Sequence, residues 1–398
     1  MMILHALLLA LQMPSSPRLV LETEAGEIYI ASVDGKSVMK LTDGQRPVWS
    51  PDGMRVAFGV PSGLPANSET GAVDLFVINA DGTARRRIAA QVQADGYEWK
   101  WTPDSKSLVF VKRATTDFDQ AWMVSLEGSA RKLGPVCAGE FDYALISSRN
   151  QILVWRAVGK WTPDDLDDPK HHHEYVRSGD SKSLGEGVDA QFSPDGKWVA
   201  YDRDGTLMIA TGDGAKLRAR GRLEADEAGY TSFHWLPDSS GIVFVEGGTR
   251  DVVVIRPNGT GKRRLAEKSD SVWVSPAGSR ALAFTDCGWI LADVATGKST
   301  RIYDDIDFVP IAWSNDGSRI YFSSFTDAGT IVRWYDSSGR LGGQFNAKKA
   351  TFDTDPLSPR GNVLVGSGEK GLTLFQSDGA PVTILADQRV MRYAWSSK

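Results

Sequence analysis

The densest group of metal-ligating side chains lies in residues 164–174, where four aspartates precede three consecutive histidines. Imidazole and carboxylate groups bind transition metals, and His171 and His173 would project to the same side of an extended chain. Two histidines on one strand still need further ligands, and no second histidine pair or cysteine accompanies them. The same segment also fits a solvated polar loop. The sequence therefore favours a protein without a metal or other cofactor, with His171 and His173 as the metal-binding alternative.

Two short motifs resemble parts of catalytic sites but depart from the spacing that the chemistry requires. Gly297-Lys298-Ser299 ends like a phosphate-binding loop, yet Ala292 stands where the leading glycine is needed. Gly366-Ser367-Gly368 departs from the spacing of the nucleophile elbow of serine hydrolases. Both are better explained as turns between strands, so the sequence favours a non-catalytic protein.

A recurring turn defines the elements that would position any functional side chain. Its first clear copy is Trp49-Ser50-Pro51-Asp52-Gly53, which is followed by an apolar run. The serine hydroxyl caps the turn, proline fixes φ, and glycine accepts the conformation that leaves it. The copies return at intervals of 38 to 52 residues. The second residues of the copies are Ser50, Thr102, Ser147, Ser193, Leu236, Ser275, Ser314, Ser358 and Ser396.

A second series of turns alternates with the first and has the composition of β-hairpins. Each turn stands between two short runs that are typical of strands. The turns are Asp34-Gly35, Asp81-Gly82, Glu127-Gly128, Gly179-Asp180, Asp213-Gly214, Asn258-Gly259, Thr296-Gly297, Ser338-Gly339 and Asp378-Gly379. Two alternating series predict a repeated unit of four antiparallel strands.

The repeats predict an all-β fold, a single closed β-propeller of four-stranded blades. A four-stranded sheet cannot bury both faces alone, and radial stacking covers them. The chain begins with three strands from Leu19 onward and ends with one strand before Trp395. These strands from both termini would form a shared blade that closes the ring. The repeat count is nine blades, or eight if the degenerate copy at Ile146 fails to form one.

The quoted turns resemble those of the TolB-like family, whose WD-like repeats carry the same Trp-Ser-Pro-Asp-Gly turn and Asp-Gly hairpin. The resemblance covers Leu19 to Lys398 and is specific for the fold. It does not extend to the N-terminal α/β domain of that family's namesake, because too few residues precede Leu19. The resemblance implies the propeller architecture and a general tendency to bind other proteins at the cell envelope.

The N-terminus contains an apolar run from Ile3 to Leu11, before a Pro14-Ser15-Ser16-Pro17 break. We interpret residues 1–18 as a signal peptide or N-terminal tail and residues 19–398 as the propeller. This interpretation predicts a periplasmic or secreted protein, and a cytoplasmic one if the run is not a signal. Cys137 and Cys287 lie in different repeats, which favours two thiols over a disulfide.

Composition narrows the class of partner. The 45 basic and 50 acidic residues give a net charge of −5, which offers no general attraction for nucleic acid. No later run approaches the roughly 18 apolar residues of a membrane span. We therefore expect a monomer that binds another protein, or alternatively a polysaccharide or a small ligand.

Connection lengths predict where binding occurs. In a four-stranded meander, the two turn series lie at one end of each sheet, here called the tight-turn face. All other connections lie at the opposite end, the long-loop face, where binding segments are expected. These connections are rich in acidic and aromatic residues. The candidates are Asp117, Phe118, Phe141, Asp142, Tyr143, Trp161, Glu224, Tyr230, Asp304, Asp305, Asp307 and Phe308.

The long-loop face therefore predicts a non-catalytic scaffold of the cell envelope, which binds a basic or polar partner through aromatic anchors within an acidic rim. Two alternatives remain open. One is a lyase or hydrolase with its site in the central funnel, and the other is a sensor of polysaccharides or small ligands.

Overall fold

The computed structural model describes most of the chain. The described residues are 16–62, 72–94, 98–114, 119–134, 144–157, 173–178, 183–225, 232–286, 288–303, 308–352, 356–376 and 380–396. All regular elements in these ranges are strands, and they form antiparallel sheets that follow the predicted repeat.

The strands of the first four sheets alternate with short turns. Blade 1 contains β1 (Arg18–Thr23), β2 (Glu27–Ser32), β3 (Val38–Asp43) and β35 (Val390–Trp395). Blade 2 contains β4 (Gln45–Trp49), β5 (Arg55–Pro61), β6 (Ala72–Asn79) and β7 (Arg86–Gln93). Blade 3 contains β8 (Lys100–Trp101), β9 (Ser107–Arg113), β10 (Asp119–Ser125) and β11 (Ala130–Lys132). Blade 4 contains β12 (Ala144–Ile146), β13 (Ile152–Ala157), β14 (His173–Arg177) and β15 (Ser183–Glu186).

The remaining sheets repeat this order. Blade 5 contains β16 (Val188–Phe192), β17 (Trp198–Arg203), β18 (Thr206–Thr211) and β19 (Arg218–Arg222). Blade 6 contains β20 (Phe233–Trp235), β21 (Ile242–Glu246), β22 (Asp251–Ile255) and β23 (Arg263–Ala266). Blade 7 contains β24 (Ser269–Val274), β25 (Arg280–Thr285), β26 (Gly288–Asp293) and β27 (Ser299–Tyr303). Blade 8 contains β28 (Val309–Trp313), β29 (Arg319–Thr326), β30 (Gly329–Asp336) and β31 (Leu341–Asn346). Blade 9 contains β32 (Val363–Ser367), β33 (Leu372–Gln376) and β34 (Val382–Ile384).

These sheets are the blades of a nine-bladed β-propeller, which confirms the predicted fold class. The degenerate copy at Ile146 does form a four-stranded blade. In its turn, Asn150 adopts a φ of 57° at the position that glycine occupies elsewhere, as asparagine tolerates this conformation. In blade 9, Leu357 bridges Leu364 where the first strand would lie.

Two groups of residues are each compact: residues 1–108, 124–128 and 349–398, and residues 109–123 and 129–348. The first group contains the blade built from both termini. There β35 pairs antiparallel with β1, placing Leu19 opposite Trp395 and Leu21 opposite Tyr393. The pairing continues beyond the strands, because the Arg18 N–H donates to the Ser396 hydroxyl at 2.9 Å. The predicted pairing of the two termini is therefore present.

The second group contains blades 4 to 8, whose second and third strands are buried between neighbouring sheets. One apolar cluster joins blade 5 to blade 6 through Ile209 and Phe244. Another joins blade 7 to blade 8 through Trp289 and Phe322. Residues on both faces of β21 are buried, which explains its continuous apolar sequence.

The first turn series also joins adjacent blades. In blade 2, Ser50 Oγ donates to Asp52 Oδ1 at 2.5 Å and accepts the Arg55 N–H at 3.0 Å. The Asp52 N–H then donates to the hydroxyl of Ser105 in the blade 3 turn at 3.0 Å. Ser239 accepts the Asp195 N–H in the same way at 2.9 Å. In these two pairs of blades the repeated turn therefore provides both a local cap and an interblade contact.

Candidate functional site

The described part of the long-loop face is most complete in blades 5 to 8. It contains the connections from each second strand to the third and from each fourth strand to the next blade. Among the described residues, short hydrogen-bonded connections hold this region. We therefore treat the long-loop face of blades 5 to 8 as the candidate site.

A charged cluster connects blades 6 and 7 on this face. The guanidinium of Arg250 forms an ion pair with Asp270 and lies 3.5 Å from Asp286. The Arg250 carbonyl also accepts the Ser269 N–H at 2.7 Å, which fixes the connection that carries the guanidinium. The side chains of Asp270 and Asp286 are about half exposed, at 51% and 52%. Two accessible carboxylates share one cation, so the cluster carries a net negative charge.

Glu224 lies beside this cluster. Its carboxylate accepts the Gly248 N–H at 2.8 Å, in the same connection as Arg250, and its own N–H donates to the Val245 carbonyl at 3.0 Å. Glu224 therefore braces the connection and adds negative charge next to Arg250.

A rigid hairpin of blade 8 presents an exposed aromatic ring on the same face. Strands β29 and β30 pair over their full length, from Arg319 opposite Asp336 to Thr326 opposite Gly329. Thr326 Oγ1 donates to the Gly329 carbonyl at 2.7 Å and closes the tip. Phe325, one residue before this closure, is 64% exposed. Burying such a side chain would contribute roughly 1.5–3 kcal/mol, so Phe325 is suited to anchor a partner.

The first strands of blades 7 and 8 each carry an exposed apolar side chain. Trp273 is 38% exposed and its ring lies 5.4 Å from that of Trp289, centroid to centroid. Trp289 Nε1 donates to the Phe308 carbonyl at 3.0 Å, and the next residue, Val309, is 49% exposed. Trp289 thus contacts both the Trp273 ring and the backbone of the residue before Val309. Trp313 Nε1 is buried and has no hydrogen-bond partner among the described residues.

A serine just before the first strand of blade 6 lies close to a histidine on that strand. Ser232 Oγ lies 3.4 Å from His234 Nε2. Burial lowers the pKa of His234, although a hydrogen bond with the backbone of Val272 partly opposes this effect. His234 is therefore neutral near pH 7 and can accept a proton. The described surroundings supply a backbone group, not a carboxylate, to orient the ring.

The structure locates two of the predicted binding residues. Glu224 belongs to the charged region just described. Phe308 is buried at 4% exposure, and the guanidinium of Arg333 lies 4.2 Å from its ring centroid. Phe308 therefore belongs to the apolar core between blades 7 and 8, not to the exposed surface.

The other predicted residues lie outside the described part of the chain. They are Asp117, Phe118, Phe141, Asp142, Tyr143, Trp161, Tyr230, Asp304, Asp305 and Asp307. For the metal-binding alternative, His171 is also outside it, and His173 is described only as the first residue of β14. Cys137, Cys287 and residues 1–15 of the predicted signal segment lie outside the description too.

Sequence reasoning missed Phe325, Trp273 and the Asp270–Asp286 pair. It gave weight to long connections, whereas Phe325 precedes a short one. The available signal was a phenylalanine directly before Thr326-Asp327-Ala328-Gly329, a turn sequence at the end of an already complete apolar strand.

Two kinds of feature are absent from the described residues. No group of three or more His, Cys, Asp or Glu side chains there is arranged to hold a metal ion. No helix there is long and apolar enough to cross a membrane.

No protein-family model matches the chain, and no curated protein matches it in sequence. Solved structures with a similar fold do exist. A eukaryotic initiation factor aligns with a TM-score of 0.58 and 12% identity, over 83% of this chain and 96% of that one. An oligogalacturonate lyase in complex with manganese aligns with a TM-score of 0.42 and 14% identity, over 79% of this chain and 94% of that one. TolB from Acinetobacter baumannii aligns with a TM-score of 0.35 and 13% identity, over 97% of this chain and 67% of that one.

At these identities the first of the three supports the propeller fold alone. A fold alone does not decide between an enzyme and a non-enzyme.

Proposed function

We propose that this chain is a non-catalytic, protein-binding propeller that engages its partner on the long-loop face. One observation carries the proposal: neighbouring blades of that face combine the exposed ring of Phe325 with the exposed carboxylates of Asp270 and Asp286. Aromatic side chains supply much of the binding energy at protein interfaces, and complementary charge speeds encounter.

The partner that fits this surface has an apolar pocket and basic side chains around it. The pocket would accept Phe325, whose position is fixed by the hairpin before binding. Little conformational entropy would then be lost on association. The basic groups would meet Asp270 and Asp286, whose single shared cation leaves negative charge available.

The proposal includes a TolB-like relationship and an exported location. Its support is the repeated Trp-Ser-Pro-Asp-Gly turn and the apolar run that begins at Ile3. Cell fractionation of a C-terminally tagged chain, with and without residues 1–18, tests the location. Cytoplasmic recovery of both forms would contradict it.

The interaction is tested by affinity capture from native envelope extract. The wild-type chain is compared with Phe325→Ala and with the double variant Asp270→Lys, Asp286→Lys. We expect a partner that binds the wild type and is reduced about tenfold or more by either change, because about 1.4 kcal/mol corresponds to tenfold.

Met39→Ala is the matched control, because Met39 is also exposed, at 44%, but lies on an outer strand of blade 1. Asp270→Asn with Asp286→Asn should give an intermediate loss. Capture of the same partner by all variants would disprove the proposed surface.

A second candidate function is the binding of a polysaccharide or small ligand at Trp273. The exposed indole of Trp273 provides a stacking platform for such a ligand. Titration with acidic and neutral oligosaccharides, followed by tryptophan fluorescence, tests this alternative. A saturable change that is lost in Trp273→Ala would support it, and release of product from the sugar would indicate the enzymatic alternative.

A further inference from the structure

The outer strand of blade 8 differs from the other outer strands in charge. An outer strand pairs on one side only and leaves a row of backbone groups at its other edge, which proteins usually protect with charged side chains. Strand β31 has the sequence LGGQFN, six residues without a charged side chain. It ends the strand order of its sheet, after β30.

The other described outer strands are either charged or shorter. Strand β34 also lacks charge but has only three residues. The charged residues on the remaining outer strands are Lys40 and Asp43 on β3, Arg86 and Arg87 on β7, Arg131 and Lys132 on β11, Glu186 on β15, Arg218, Arg220 and Arg222 on β19, Arg263 and Arg264 on β23, and Arg301 on β27.

Strand β31 contains two glycines, and an aromatic ring packs against both of them. The ring of Trp334 lies directly over them: a Cβ on Gly342 would stand 1.8 Å from Trp334 Cζ3, and one on Gly343 would stand 2.9 Å from Trp334 Nε1. The guanidinium of Arg319 also stacks on this ring, with its Cζ 4.5 Å from the ring centroid. The glycines are therefore covered by an aromatic ring, as is typical of stabilised edge strands.

The outward side of β31 is accessible. Leu341 is 55% exposed, and Gly342, Gln344 and Asn346 are exposed as well. The partner strand β30 has eight residues and pairs with β31 from Ile331 opposite Asn346 to Tyr335 opposite Leu341, with a bulge at Gly342. These features provide a template for an additional strand, a recurrent mode of peptide recognition.

Cations border this uncharged edge at both ends. Arg340 precedes β31 and its side chain is 84% exposed, with its Nε 3.6 Å from Asp336 Oδ2. Lys348 follows β31 and is exposed. An antiparallel pair of two β31 strands would bring Arg340 of one copy near Lys348 of the other, which disfavours self-association. An acidic residue at either end of an incoming strand would instead be attracted.

From these observations we propose that β31 is a docking edge for an extended peptide segment of a partner protein, with an uncharged centre and acidic ends. The segment adds to blade 8 as a fifth strand. Hydrogen bonds between the peptide backbone and the β31 backbone supply affinity, and Arg340 and Lys348 favour a peptide with acidic ends. The β31 edge runs along the outer side of blade 8, and its Lys348 end reaches the long-loop face, where the Thr330 N–H donates to the Lys348 carbonyl.

The experiment uses two fluorescent peptides of alternating threonine and valine, one with aspartate and one with lysine at both ends. Binding to the full chain is measured by fluorescence anisotropy, and the bound region by hydrogen–deuterium exchange. We expect the aspartate peptide to bind about tenfold or more tightly than the lysine peptide. It should protect amides within residues 341–346.

Two variants test the mechanism. Leu341→Asp places a negative charge on the edge and should weaken binding of the aspartate peptide about tenfold. Arg340→Glu with Lys348→Glu should reverse the preference between the peptides. Arg218→Glu on β19 is the matched control and should leave binding unchanged, as should Phe325→Ala.

Each contrary result is decisive. Equal binding of the two peptides, or protection away from 341–346, would overturn the proposal. Protection of 341–346 that grows with protein concentration and without peptide would show that a second copy occupies the edge. Loss of peptide binding in Phe325→Ala would show that the two proposed surfaces are one.

Discussion

Asp316 shows how a single residue stabilises the recurring turn. Its Oδ1 accepts the Ser314 hydroxyl at 2.6 Å and the Ser318 N–H at 2.9 Å. These bonds favour the ionised carboxylate and lower the pKa of Asp316 to about 2. The unfolded chain binds a proton at a higher pH, because an unperturbed aspartate has a pKa of about 3.9.

We predict that Asp316→Asn destabilises the folded chain by an amount that depends on pH. The folded pKa is depressed, so the contribution of Asp316 is fully present above about pH 4 and is lost as the pH falls toward about 2. Thermal denaturation of the wild type and the variant should therefore give a Tm difference that is largest near neutral pH and disappears in acid. Asp327→Asn, at the exposed hairpin tip, is the control. A Tm difference that is independent of pH would contradict the assignment.

His234 leads to a second prediction at this scale. Burial lowers the pKa of its imidazole below the ordinary value of about 6.5, despite the opposing bond with the Val272 backbone. Protonation thus favours the unfolded chain, so this contribution to stability is complete above about pH 6.5 and is lost as the pH falls through the folded pKa. An NMR titration of the His234 ring should show the lowered value in the folded chain and the ordinary value in urea. Equal values in both states would refute the prediction.

At the scale of elements, the β30–β31 pair depends on the contact between a ring and two glycines. Any Cβ on Gly342 would overlap the Trp334 ring. We predict that Gly342→Ala destabilises the chain by about 1–3 kcal/mol, the usual cost of overpacking. Urea denaturation measures this change.

The double variant Gly342→Ala, Trp334→Ala separates this overlap from a general effect of glycine replacement. Removing the ring removes the overlap, so the double variant should be more stable than the sum of the single changes predicts. Strict additivity would show that Trp334 is not the cause.

The turns explain why the elements were predictable. Proline at Pro51 and glycine at Gly53, with a φ of 68°, leave the chain few alternatives in each copy of the motif. Where glycine is absent, Ser105 and Ser239 adopt φ values of 58° and 62°. Their hydroxyls then accept hydrogen bonds from the preceding blade, which offsets the backbone strain. The repeat therefore remains visible even where one position changes.

The candidate site was predictable only in outline. The two turn series indicated which end of each sheet carries the long-loop face. Side-chain exposure depends on how neighbouring sheets pack, and the sequence of one strand does not contain that information. Phe308 directly precedes the first strand of blade 8 and Phe325 lies on its second strand. Both are aromatic, yet Phe308 is 4% exposed and Phe325 is 64% exposed. The charged cluster likewise arises from three connections that are distant along the chain.

At the scale of the whole chain, the pairing of its two ends joins local elements into a cooperative unit. Leu19, Val20 and Leu21 of β1 are fully buried, and Leu19 and Leu21 share an apolar cluster with Tyr393 and Trp395 of β35. Removing β35 would expose this cluster and leave β1 as an unpaired edge. Large losses of buried side chains typically cost about 2–5 kcal/mol each.

We predict that truncation after Arg389 lowers the Tm by about 10 °C or more, because each kcal/mol shifts Tm by roughly 2 °C in large domains. A synthetic peptide of residues 388–398, added in excess, should restore much of the loss by binding the folded form. A peptide with Tyr393→Pro should not, since proline removes a backbone donor from the strand that faces Leu21. Arg392→Ala in the full chain is the control, because it removes only the exposed ion pair with Glu98 and should leave Tm nearly unchanged. A truncated chain that melts like the full one would show that β35 contributes little to the stability of blade 1.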